Sequence, residues 1–265
     1  MDIFAFDPAL YLSFLLTFIR VSLVVFLLPF FGGDACPPTV KAAMCLVFTM
    51  ALFPRLSVAA TAMPTHPFEL VVIIMGELLL GLVLGLAVQF VFAGIQTGGH
   101  VLSFQMGFTM ISFADPLSGA AIGVTSHLLY MVAMLTFLAL DGHLYLLKAF
   151  SETFTLIPPG QLFLGDRLLH KMIDLSGDMF LMAIKIAAPV LAALFLIELA
   201  LALMARAAPQ MNLLMIGMPI KIAVGFGFMG LLFTIMADHI QNFIVDMDPM
   251  LYNLVRVMRP LASGQ

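Results

Sequence analysis

From Leu78 to Ala114 the chain carries no Asp, Glu, Lys or Arg, and a second stretch without them runs from Pro116 to Leu140. A soluble domain of this size still exposes much of its surface to water, so such runs cannot all be hidden in a core. About 20 apolar residues are enough to cross hydrocarbon as a helix. The rest of the chain agrees: 63% of its 265 residues are hydrophobic and 10% are charged, against about 45–50% and about 25% in ordinary soluble domains. The solvent that suits this sequence is a lipid bilayer.

Six apolar segments can be traced, roughly 10–28, 39–53, 67–95, 124–140, 179–206 and 212–237. Pro29 and Gly32-Gly33 end the first, and Pro37-Pro38 precede the short second. Pro67 stands at a favourable first helical position for the third. Most segments lack the polar stripe of a surface helix, as expected for helices in lipid or deep in protein. None alternates in the manner of a membrane β-barrel. The expected fold is all-α: a polytopic helical membrane protein with kinked helical hairpins. Outside the spans, Arg55, Lys148, Arg167, Lys171, Arg256 and Arg259 fall on one side, and Lys41 and Arg206 on the other. That bias places both termini in the cytoplasm. The first eight residues hold Asp2 and Asp7 and no basic residue, unlike a cleavable signal, so the first segment is expected to stay in the mature protein.

Several chemistries find no support. The 11 basic residues form no run, which argues against nucleic acid. Cys36 and Cys45 are too few for a disulfide framework and read as free thiols packed as small hydrophobes. Gly225, Gly227 and Gly230 fit G-x-G-x-x-G, but no strand precedes them, so a nucleotide site is rejected. The six His residues show no H-E-x-x-H spacing, and no nucleophile elbow is present. No catalytic site, metal or cofactor is expected.

The informative residues are the charges and helix breakers inside the apolar segments. Arg20, Glu77, Lys185, Glu198, Arg206 and Lys221 are candidate buried charges that direct assembly. A lone charge at mid-membrane costs about 2.5–3.5 kcal/mol on insertion scales. The fifth and sixth segments form a hairpin about Pro209 and Gln210, and Glu198 precedes that turn by as much as Lys221 follows it. The two therefore lie at equal depth, where they pair with each other or each with a neighbouring subunit; independent contact with water or headgroups is the alternative. Pro189 and Pro219 each remove a backbone donor and crowd the preceding turn, so both helices should bend near these charges. Gly81 and Gly85 form Gly-x-x-x-Gly, which lets a second helix approach closely.

The segment 96–123 is glycine-rich and holds no basic residue, yet it carries Phe104, Gln105, Met106, Gly107, Phe108, Met110, Phe113, Asp115 and Pro116. Such apolar bulk does not suit a solvated loop, and so many glycines with Asp115-Pro116 do not suit a span. Irregular backbone at membrane depth survives only inside protein or along an aqueous cavity. The segment reads as a re-entrant or channel-plugging loop, with a helix extension plus packed connector as the alternative. The 21 methionines fit a seal that deforms around cargo, or ordinary packing.

Taken together, PFFGG with Pro37-Pro38 and Lys41, GELLLGLVLG from Gly76, SFQMGFTMISFADP from Ser103, LTFLALDGH from Leu135, and ELALALMARAAPQMNLLMIGMPIKIAVG from Glu198 resemble the FliR-type flagellar biosynthesis family, in the family's order along most of the chain. Injectisome counterparts share the A-P-Q and M-P-I-K pattern. The resemblance implies a subunit of the type III secretion export gate, in the bacterial inner membrane at the flagellar basal body. It implies co-assembly with FliP-type and FliQ-type subunits, contact with the FlhB-type switch protein and membrane lipids, and passage of unfolded export substrates. The N-terminal region, 1–176, then resembles the first partner and the C-terminal hairpin with its tail, 177–265, the second, as if fused. It also implies a plug loop around Met106 to Asp115, and the tail is too short for a fused switch-protein domain. An injectisome gate subunit is the nearest alternative; a secondary transporter using Lys185, Glu198 and Lys221 is a more distant one, lacking visible inverted repeats.

Overall fold

The computed structural model describes residues 8–32, 37–53, 64, 66–108, 123–159, 166–210 and 212–258. Among these residues there are helices and no strands. In chain order they are α1 (Pro8–Leu27), the single turn α2 (Pro29–Gly32), α3 (Pro38–Leu52), α4 (Pro67–Gln105), α5 (Val124–Ala139), α6 (Gly142–Leu156), α7 (Asp166–Ala207), α8 (Leu213–Gly227) and α9 (Met229–Val257). Pro38 and Pro67 open α3 and α4, where a missing N–H is harmless. Asp141, held at φ 56°, separates α5 from α6. A 44° bend separates α8 from α9.

Three helices are long and apolar enough to cross a membrane: α1, α4 and α7. Counting each bent pair as one span raises the number to five among the described residues, and α3 is apolar but only 15 residues long. All six apolar segments of the sequence thus fall on helices. The sequence expectation fails at amphipathic helices. It takes α6 for loop and the last turns of α9 for a mixed tail. Both bury one face and leave the other polar, so a search for runs apolar all round passes over them. In α6 the buried face is Leu146, Ala149, Phe150, Thr153 and Phe154; in α9 it includes Met236, Ile240, Met247, Leu251 and Leu254. α7 likewise starts at Asp166 rather than near Met179, and α4 runs past Ile95 to Gln105.

The chain forms two compact units, each assembled from separate stretches. The first comprises 1–89, 141–175 and 244–265; the second, 90–140 and 176–243. Within the first, Leu16, Val21, Leu80, Leu84, Phe150 and Leu254 are buried. There α3 lies against α1, with Phe14 and Phe53 edge to face at 5.4 Å. Cys45 is buried as a free thiol, and Cys36 lies outside the described residues. Within the second unit, Phe92 packs edge to face on Phe137 at 5.5 Å, and Phe137 meets Phe243 at 6.3 Å.

Candidate functional site

The charged residues sort into two pairs and two remainders. In the first unit, α1 presents Arg20 to Glu77 of α4. Arg20 Nε donates to Glu77 Oε2 at 2.6 Å and Nη2 to Oε1 at 2.9 Å, a two-pronged contact that suits the flat guanidinium. Arg20 Nη1 donates to the Ile157 carbonyl at 2.9 Å, just beyond α6, and the guanidinium carbon lies 4.4 Å from the centre of the Phe154 ring. Arg20 is 0% and Glu77 3% exposed. One side chain therefore joins α1, α4 and the end of α6. Gly81 and Gly85 make this approach possible. A Cβ on Gly81 would stand 2.9 Å from Leu23 Cβ, and one on Gly85 only 2.6 Å from Leu27 Cβ. The Gly-x-x-x-Gly face of α4 is thus filled by α1 of the same chain.

In the second unit, Lys221 of α8 donates to Glu198 Oε1 of α7, the partnership that their equal offset from the turn suggested. The side chains are 21% and 40% exposed. Pro209 and Gln210 form the exposed turn between these helices. Pro189 and Pro219 lie inside α7 and α8, while the break falls at Phe228, between the glycines Gly227 and Gly230. Lys185 and Arg206 are exposed, with no partner among the described residues.

The segment 96–123 begins as helix. Gln96 to Gln105 complete α4, and their glycines serve packing. A Cβ on Gly94 or Gly98 would stand 2.9 Å from the carbonyl oxygen of Met179 or Ala183 of α7, and one on Gly99 would stand 2.5 Å from Ser126 Cα of α5. Gly94 and Gly98 thus form a second Gly-x-x-x-Gly, one whose second glycine falls within the segment that the sequence pattern marks as loop. The stop signal is a glycine too. Gly107 has φ 90°, Phe108 N–H donates to the Ser103 carbonyl at 3.0 Å, and Gly107 N–H donates to the Phe104 carbonyl at 3.0 Å. Those crossed bonds are a Schellman cap, with glycine in the left-handed position.

Around the cap, Met106, Gly107 and Phe108 pack against α8. Met106 is 1% exposed, and its Sδ accepts a weak bond from Thr125 Oγ1 at 3.9 Å. Phe108 meets Phe226 edge to face at 6.2 Å. Phe104 is 66% exposed and Gln105 half-buried. Met110, Phe113, Asp115 and Pro116 lie outside the described residues. No group of three or more His, Cys, Asp or Glu side chains could hold a metal ion among the described residues.

The sequence pattern of the family described as "Bacterial export proteins, family 1" matches residues 11–247. The chain is 28% identical to the flagellar biosynthetic protein FliR of Escherichia coli K12, over 89% of this chain and 90% of that protein. It is 33% identical to FliR of Bacillus subtilis 168, over 82% of this chain and 84% of that one. It is also 30% identical to Yop proteins translocation protein T of Yersinia pestis, over 59% of this chain and 61% of that protein. With apolar helices fit for a bilayer and this likeness along most of its length, the chain belongs to family 1 of the bacterial export proteins, as a FliR-type membrane component of an export apparatus.

Proposed function

We propose that this chain is a subunit of the flagellar type III protein export gate, seated in the bacterial inner membrane at the basal body, where it forms part of the channel for unfolded substrates and seals that channel at rest. The observation that supports the reading is the anchorage of the segment root on α8: a buried Met106, a capped Gly107 and the Phe108–Phe226 contact fix where the apolar segment, whose one charged residue is Asp115, begins. From that root the plug would comprise Phe104 to Pro116, its methionines Met106 and Met110 suited to a seal that deforms. FliP-type and FliQ-type subunits surround the chain, its 1–176 and 177–265 portions imitate those two partners, and the FlhB-type switch protein joins them. The chain performs no chemistry.

A flagellar role is favoured over an injectisome one because FliR of Escherichia coli and FliR of Bacillus subtilis match over 89% and 82% of this chain and the Yersinia protein over 59%. A solute carrier is disfavoured by the charges. Glu198 is engaged by Lys221, and Lys185 is thirteen positions from Glu198, about 20 Å along a helix. The test is to purify the tagged chain from its own cell in mild detergent and identify what accompanies it. FliP-type and FliQ-type subunits in fixed proportion are the expected result. A solitary chain that moves a small solute in pure liposomes would overturn the reading.

A further inference from the structure

Met106 fits into α8 like a knob into a notch. A Cβ on Gly225 would stand 2.4 Å from Met106 Cε, 2.6 Å from its Sδ and 3.0 Å from its Cγ. Only glycine at 225 leaves that space. One residue on, Gly107 lies against Met218, whose Cε would be 3.2 Å from a Cβ there. Met218 and Gly225 are seven residues apart on α8, so they share a face, and Phe226 beside them takes the Phe108 ring. Three consecutive residues after the end of α4 are thus gripped by one face of one short helix.

That helix is placed to move. It ends at Gly227, and the chain bends by 44° at Phe228 before α9 begins. Between Met218 and Gly225 it carries Lys221, which ties it to α7 through Glu198. Met106 itself is suited to leaving. Its side chain is unbranched and flexible, and among the described residues its polar contact is the weak hydrogen bond from Thr125. Withdrawing it breaks no backbone hydrogen bond, so the cap at Gly107 can persist while the knob leaves the notch.

We propose that Met106 in the Gly225 notch is a reversible latch between the end of α4 and α8, engaged in the resting protein and withdrawn when α8 shifts at the Phe228 bend. The functional consequence rests on the plug reading; the latch does not. Cysteines at both positions report on it, because Met106 Cγ already lies 3.0 Å from where a Cβ at 225 would be, within disulfide reach. The double variant Met106→Cys/Gly225→Cys is made in a chain with Cys36→Ser and Cys45→Ala, and tested in the complex purified from its own membranes. Because the substitution removes the methionine as it fills the notch, it avoids the clash a single change at 225 creates. Recovery of partner subunits with the tagged chain establishes that the variant is folded.

The cross-link should form readily in the resting complex and fall about tenfold or more in complexes jammed by a substrate fused to a domain that cannot unfold. Oxidation should stop export and reduction restore it. Equal cross-linking in resting and jammed complexes, no cross-link at rest, or normal export from the oxidised protein would each overturn the latch. The plug reading fails by a separate sign, unchanged membrane conductance after deletion of 106–115. A state-dependent cross-link together with that result would sink the plug and leave the latch.

Discussion

Arg20–Glu77 and Lys221–Glu198 each join two helices, one pair in each unit, and they differ in closure. The first is 0% and 3% exposed, two-pronged, and completed by the Ile157 carbonyl and the Phe154 ring. The second is 21% and 40% exposed and rests on a single oxygen. Arginine suits the first because its flat fork fixes geometry; lysine suits the second because an ammonium on a flexible stem can turn toward several partners. The closed pair is finished within this chain. The open pair leaves a carboxylate within reach of whatever surrounds the hairpin.

The contrast orders the effects of mutation. Glu77→Ala should be the most damaging change, destabilising by about 3–5 kcal/mol because it strands a buried guanidinium. Membrane levels of the protein and thermal unfolding of the solubilised complex read this directly. Arg20→Met/Glu77→Leu should recover much of the loss; a double variant as poor as the single would mean that the cluster acts through shape rather than charge. Gly85→Leu comes next, about 1–3 kcal/mol from overpacking against Leu27, visible as a lower unfolding temperature. Lys221→Met should cost least, about 1 kcal/mol or less given the exposure of the pair, with exchange of the two charges, Glu198→Lys/Lys221→Glu, restoring assembly. If Lys221→Met instead matched Glu77→Ala, the distinction between closed and open pairs would break.

What the sequence disclosed follows the range of each physical rule. Glu198 and Lys221 could be matched because a hairpin turn between them makes depth a matter of counting. Arg20 and Glu77 were recognisable as charges out of place but not as partners, since 57 positions separate them and no local rule spans that distance. Gly81 and Gly85 announced a close helix approach without naming α1. Gly107 could have been read as a helix-stopping glycine, yet an apolar, glycine-rich stretch looks alike as loop or as packed helix until its neighbours are known. The Gly225 notch had no sequence signal beyond a glycine in a span, because the residue that fills it lies on another helix. Amphipathic α6 and the end of α9 were lost for a different reason: their moderate overall apolarity falls below what marks a span, although their buried faces recur with helical spacing.

The proposed seal lies in the stretch that follows α4. The most direct measurement is the ion conductance of membranes holding the assembled gate, with and without residues 106–115. Removal of the stretch should open a leak that the intact complex lacks, while the partner subunits still co-purify. An assembled complex of normal composition whose conductance is unchanged by the deletion would contradict the claim that this chain seals the channel.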